Sequence, residues 1–162
     1  VFDAKPIQLG HTLKADGRWR LFIFSDNNFS VQEGSKVHSL CKGLSELDSS
    51  LIKTYTPKGL DPDSVFDVRV IFQMSHRDLN PNCLPPLLTP FKGKYNLIDY
   101  EKVFCPNFRF GGNIFEMRGV NKEQGCVVVV RPDQHVSNIF NLDSVDKIRS
   151  FFDSFMIRSY DD

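Results

Sequence analysis

No stretch of this sequence approaches the ~20 apolar residues that a bilayer-spanning helix needs; the longest apolar run, Cys126–Val130, is the size of one strand. The chain opens Val1-Phe2-Asp3-Ala4, with neither the cationic start nor the apolar h-region of a secretory signal. Neither sign of charge is in excess, since 20 basic and 20 acidic side chains cancel. The charges are also dispersed, so neither nucleic acid nor an anionic membrane is an electrostatically favoured partner. Cysteine is sparse. The four thiols (Cys41, Cys83, Cys105, Cys126) are widely spaced, with no C-x-x-C and no close His, which excludes a disulfide scaffold and points to a reducing, cytoplasmic setting. An initiator Met is lacking too, and the expectation is a fragment of a longer polypeptide.

Catalytic signatures are equally thin. There is no Gly-x-Ser-x-Gly elbow, and Gly10-His11-Thr12 and Gly111-Gly112-Asn113 lack the spacing that cradles phosphate. His11, His38, His76 and His135 are scattered; His76 with Asp78 is the nearest approach to a dyad, and an exposed histidine is the far commoner outcome. Cys83 and Cys105 sit in irregular segments without a Cys/His pair at ligand spacing, which argues against zinc. The expectation is a chain with no catalytic, cofactor-binding or metal residues.

What is present is an ordinary globular balance, 41% hydrophobic and 25% charged, in a length that suits one domain, residues 1–162. Arg18-Trp19-Arg20-Leu21-Phe22-Ile23-Phe24 reads as a strand whose later half is apolar on both faces, hence central. From Ser35 the period changes to three and four. Val37, Leu40, Cys41, Leu44, Leu47, Leu51, Ile52 and Tyr55 predict one helix from 35 to about 54, capped by Gly34 or Ser35 and stopped by Pro57. A second strand over 65–72 completes a β-α-β unit with parallel strands.

Pro81, Pro85, Pro86 and Pro90 mark an irregular excursion over 75–96, anchored by Leu84, Leu87, Leu88 and Phe91. Short helices are expected over 97–104 and 113–118. Cys126–Val130 is the plainest strand, turning through Arg131-Pro132-Asp133-Gln134 into an antiparallel return over 135–140. Asp143 or Ser144 caps a last helix with the stripe Val145, Ile148, Phe151, Phe152, Phe155 and Met156.

The order β-α-β, elaborated middle, β-β-α is the thioredoxin-like plan: an α/β fold with a mixed sheet and helices on both faces. Redox members of that plan carry a low-pKa Cys at the start of the helix after the first strand. Here 26–35 contains none, and Cys41 and Cys126 lie on apolar stripes, so both read as core. The fifteen phenylalanines are more conspicuous. Phe104, Phe108, Phe110 and Phe115 crowd one region and Phe151, Phe152 and Phe155 another, which suggests an apolar patch that a partner covers. Full burial of all seven by the folded middle is the open alternative.

The segment Leu9-Gly10-His11-Thr12-Leu13-Lys14-Ala15-Asp16-Gly17-Arg18-Trp19-Arg20 and the hairpin over 125–136 resemble the C-terminal domain of FAD-dependent phenol 2-monooxygenases (phenol hydroxylases). Tyr100-Glu101-Lys102-Val103-Phe104, Gly111-Gly112 and Met117-Arg118-Gly119-Val120 fit the same domain, so the resemblance covers nearly the whole chain. Its most specific part is Val130-Arg131-Pro132-Asp133-Gln134. The resemblance implies a thioredoxin-like domain without the redox cysteines, associated with dimerisation of its parent. It also implies that the parent, this domain's partner in the same polypeptide, binds FAD, takes electrons from NADPH and hydroxylates phenol ortho to its hydroxyl with dioxygen. None of the flavin-binding motifs is in this chain.

Two readings stand beside a non-catalytic dimerisation domain: a free-standing thioredoxin-like oxidoreductase using Cys83 or Cys105, and a protein-binding module using the proline-rich loop and the phenylalanine patch. At the hairpin turn, a structural role is expected. Arg131 pairs with a carboxylate and Asp133 bonds the turn backbone.

Overall fold

The computed structural model describes residues 5–27, 33–107 and 112–158; Gly111, Phe108 and Phe110 lie outside them. Two strands, β1 (Trp19–Phe24) and β2 (Phe66–Ile71), run parallel, from Trp19 opposite Phe66 to Phe24 opposite Ile71. Parallel strands need a crossover. It is supplied by α1 (Lys36–Ser45) and α2 (Leu51–Tyr55). The excursion after β2 holds two 3-10 turns (Pro81–Cys83 and Pro86–Leu88) and a hairpin of β3 (Phe91–Lys92) and β4 (Leu97–Ile98). Then follow β5 (Val103–Phe104), α3 (Ile114–Met117), β6 (Cys126–Val130), β7 (Val136–Phe140) and α4 (Val145–Asp153). The main sheet has the order β5-β2-β1-β6-β7, with β6 antiparallel to β1 and β7 antiparallel to β6. This is the thioredoxin-like arrangement expected from the element order.

Alternation along each strand assigns side chains to two faces. Leu21, Ile23, Phe66, Val68, Val70, Val127 and Val129 join α1, α2 and α4 in the larger core. There Phe152 of α4 stacks edge-on to Phe66 and Trp19, with centroids 4.8 and 5.2 Å apart. On the opposite face Phe22, Phe24, Ile71, Phe104 and Val130 gather round Phe115 of α3, with Leu9 and Leu13 of the N-terminal arm laid over them. One side thus has a helical layer, and the other has one helical turn and an arm.

Two expectations are corrected. The single helix over 35–54 is two helices, because Ser50 takes an extended conformation (φ −68°, ψ 156°) and starts α2 afresh. Serine and aspartate favour caps over helix interiors, and Lys53 Nζ bonds the Glu46 carbonyl at 2.7 Å across the break. Leu47, counted into the stripe, is consequently exposed. At the other end Ser35 caps α1 as expected, its hydroxyl accepting the His38 amide at 3.2 Å.

The second correction concerns 97–104, which holds strands and no helix. Gly93 and Asn96, both with positive φ, turn β3 tightly into β4. The chain then adds Val103 and Phe104 to the edge of β2, and the amide of Phe72, just past that strand, donates to the Phe104 carbonyl at 2.9 Å. Leu84, Leu87 and Leu88 are buried anchors, whereas Phe91 is exposed. The short helix over 113–118 is present as α3, with the Asn113 side chain accepting the Phe115 amide at 3.0 Å.

Gly125 holds φ +63°, and a Cβ there would strike the Phe24 carbonyl and lie 2.8 Å from the Asp26 amide nitrogen. Gly125→Ala should therefore cost about 2–3 kcal/mol of strain. An unchanged urea midpoint would show that the β1–β6 junction yields freely.

Candidate functional site

The turn between β6 and β7 is closed by backbone and carboxylate together. The Arg131 amide donates to the His135 carbonyl and the Gln134 amide to the Arg131 carbonyl, both at 2.9 Å, with Gln134 at φ 70°. Asp133 accepts the His135 amide at 3.3 Å through one oxygen and Arg131 Nη2 at 2.6 Å through the other. Slight desolvation acts to raise the Asp133 carboxyl; the His135 amide and the Arg131 and His135 charges outweigh it and hold it low. Pro132 is half-buried, while Arg131, Asp133, Gln134 and His135 face solvent. An exposed pair of this kind adds little energy. It clamps a turn and converges on no reactive centre. Asp133→Ala also removes the acceptor of the His135 amide, and that loss should lower the melting temperature slightly while leaving the folded spectrum intact; an unchanged melting temperature would refute the role.

One of the thiols, Cys41, is buried, and Cys83, Cys105 and Cys126 are half-buried. Burial pushes Cys41 up to about 12 and Cys105 up to about 11, the reverse of what a nucleophilic thiolate needs. Cys126 is raised for the same reason, and Cys83 packs half-buried against the larger core. All four are free. His76 and Asp78 are both exposed, and among the described residues no group of three or more His, Cys, Asp or Glu is placed to hold a metal.

The densest chemistry lies where sequence reasoning did not look. Arg20 and Asp67 are opposite one another on β1 and β2 and fully buried, and Lys102, just before β5, is nearly so. Lys102 Nζ sits 2.6 Å from Asp67 Oδ1 and bonds Asp63 as well. Arg69 grips the other oxygen of Asp67 with Nε at 2.9 Å and Nη2 at 2.8 Å. Arg20 reaches outward to the Lys14 and Arg18 carbonyls and to Asp16, at 2.6, 2.8 and 2.5 Å. Arg18 links Asp16 to Asp63, and Lys92 of β3 links Asp63 to Asp99 at 2.8 and 3.2 Å.

Burial acts to raise Asp63 and Asp67. Hydrogen bonds and charge from Lys102 and Lys92 outweigh it at Asp63, as those from Lys102 and Arg69 do at Asp67, so both stay below the usual carboxylate range. A cleft of about 240 Å³ opens over the network, lined by Lys5, His11, Lys14, Arg18, Arg69 and Lys92 among others. Arg18, Arg69 and Lys92 already face carboxylates, so the charges here join segments. The available signal was charge at two-residue spacing, Arg18 with Arg20 and Asp67 with Arg69, inside strands otherwise covered on both faces.

The phenylalanine question resolves unevenly. Phe104, Phe115 and Phe152 are buried, Phe151 is half-buried, and Phe155 is 48% exposed. Larger apolar exposure lies elsewhere, on the β3–β4 hairpin (Tyr95 77%, Leu97 67%) and on β7 (Val136 61%, Ile139 60%).

The family model described as "Phenol hydroxylase, C-terminal dimerisation domain" matches residues 1–160. The chain belongs to that family. Similar curated proteins include the 3-hydroxybenzoate 4-monooxygenase of Comamonas testosteroni, 46% identical over 96% of this chain and 25% of that protein. The FAD-dependent monooxygenase terD of Aspergillus terreus is 29% identical over 95% and 25%, and the phenol 2-monooxygenase fsqG of Aspergillus fumigatus 27% over 93% and 24%. The chain thus spans about a quarter of the length of the curated relatives it matches. A solved structure of BsSco, of the Sco family of cytochrome c oxidase assembly proteins, aligns at 17% identity and TM-score 0.45, over 94% of this chain and 86% of that one. No helix among the described residues is long and apolar enough to cross a membrane.

Removing one partner of a buried pair strands the other charges, at about 3–5 kcal/mol. Asp67→Asn should show that loss in urea unfolding at pH 7, and a variant as stable as the parent chain would mean the network contributes nothing. The folded pKa values of Asp63 and Asp67 lie below the unfolded carboxylate value of about 3.9, so their contribution is complete above that pH. It is withdrawn as pH falls through the lowered folded values. Urea midpoints should therefore begin to fall below about pH 4, and less steeply in Asp67→Asn.

Proposed function

We propose that this chain, residues 1–162, is a single non-catalytic domain: the C-terminal dimerisation domain of a flavin-dependent aromatic-ring monooxygenase, whose chemistry resides in the rest of the polypeptide. The family match over residues 1–160 carries the reading. The raised thiol of Cys105 supports it, since Cys105 is one of the two cysteines on which a free-standing oxidoreductase of this fold would rely. The parent reading is cytoplasmic, with FAD as cofactor, NADPH as electron donor and dioxygen as oxidant, and with a homodimer as its working state.

The described residues do not fit the flavin. The cleft over the ion network, at about 240 Å³, is smaller than the roughly 300–1,000 Å³ typical of small-molecule sites. Its arginines and its Lys92 and Lys102 are engaged by Asp16, Asp63, Asp67 and Asp99. On this reading no step of the reaction passes through the domain.

The names of the relatives sharpen the expected chemistry. A 4-monooxygenase acting on 3-hydroxybenzoate and a 2-monooxygenase acting on phenol both place oxygen next to an existing ring hydroxyl. The proposed parent reaction is therefore hydroxylation ortho to a phenolic hydroxyl, with phenol and a hydroxybenzoate as the competing substrates. The full-length polypeptide should purify with bound flavin and oxidise NADPH faster when 3-hydroxybenzoate or phenol is added, with a dihydroxylated ring as product. A flavin-free polypeptide, or one that forms no such product from either compound, would refute the assignment.

A further inference from the structure

Resting on the dimerisation reading, we infer that the outer edge of β7, with Val136 and Ile139, is where two copies of this chain meet. The two β7 strands run antiparallel across a twofold axis and join the sheets of the two copies.

Four observations lead there. First, β7 pairs only with β6 among the described residues, so the backbone groups on its other side have no strand to bond. Such an edge normally carries a guard: a very short strand, a lysine, a proline or a bulge that twists it away. The opposite edge of the sheet has two of these, since β5 is two residues long and Pro106 follows closely. β7 is five residues long and contains no lysine, arginine, proline or glycine. Its one irregularity is a bulge at Ser137, between Val136 opposite Val130 and Asn138 opposite Val129, which leaves Asn138–Phe140 as the regular part of the edge.

Second, the register sets Ile139 beside Val128 and Val136 beside Val130, on the face that α3 and the N-terminal arm cover farther in. That cover protects Phe22 and Phe24 but leaves Val136 and Ile139 about 60% exposed, at 61% and 60%. Apolar side chains in such a row mark a surface that something else covers.

Third, Val136–Phe140 has no ionisable side chain, so laying the strand against its own copy brings no like charges together. A twofold contact uses the same patch twice and must be self-complementary, which antiparallel strands satisfy by geometry. Fourth, the family to which the chain belongs is described by dimerisation, which makes the occupant a second copy of this chain.

The β3–β4 hairpin is the competing surface, with Tyr95 and Leu97 more exposed still. Its two-residue strands are held to the body through Lys92 and the Gly93 amide, which donates to Asp61 at 3.0 Å. Its strands are two residues long against five in β7, and the exposed pair Val136 and Ile139 favours β7.

The test uses the full-length polypeptide in sedimentation equilibrium. The unmodified protein should be a dimer. The double variant Val136→Lys/Ile139→Lys should raise the dissociation constant at least about 100-fold, some 2.8 kcal/mol at 1.4 per tenfold, with its circular dichroism unchanged. Tyr95→Lys/Leu97→Lys should leave the dimer intact. A dimer that persists in the β7 variant, or dissociates in the hairpin variant alone, overturns the β7 interface while dimerisation itself stands. An unmodified polypeptide that is monomeric at every concentration overturns the dimerisation reading, and the interface with it. Amide hydrogen exchange on the unmodified protein decides the matter if the β7 variant misfolds. Protection of β7 amides should rise with concentration; a rise confined to the β3–β4 hairpin refutes the proposal.

Discussion

Asp67 and Lys102 meet at 2.6 Å with almost nothing of either side chain exposed, and both carboxylate oxygens of Asp67 are taken by cations. A charge in that position costs several kcal/mol unless its partners are in place. The partners come from four segments: the arm before β1 supplies Asp16 and Arg18, the loop before β2 supplies Asp63, the excursion supplies Lys92 and Asp99, and Lys102 leads into β5. None of these segments has much regular structure of its own. The network makes their positions interdependent, and so turns a β-α-β unit with long irregular insertions into one body. Arg20 Nε stays without a hydrogen bond, 3.8 Å from Asp67. That orphan donor is the cost of threading a guanidinium between two strands.

The elements with strong periodicity were readable from the amino acids: β1, β2, β6, β7 and α4, together with the parallel and antiparallel sense of their pairing. The failures share a cause. At 46–50 the apolar stripe continued in sequence, but the short polar run Asp48-Ser49-Ser50 offered a cap and the backbone took it. At 97–104 a short helix was expected, while the turn residues Gly93 and Asn96 just ahead set up a hairpin. Local capping and turn chemistry decided both places. The ion network was missed for another reason. Only the pairing of Arg20 with Asp67 across the strands puts these charges together inside.

At the expected hairpin turn, the carboxylate partner of Arg131 is Asp133 itself, two residues along. The turn is therefore self-contained. The absence of Cys from 26–35 was visible directly, whereas the burial that raises Cys105 depended on β5 joining the sheet beside β2.

The same burial gives the domain a built-in clock. A thiol as enclosed as Cys41, completely shielded in the core between α1 and the sheet, reacts with an alkylating reagent only during excursions that expose it. Where reclosing is fast, its labelling rate measures the population of that open state. The half-buried Cys126, on the opposite face, samples smaller openings. Two cysteines thereby report, from inside the fold, how often each layer of the sheet comes apart.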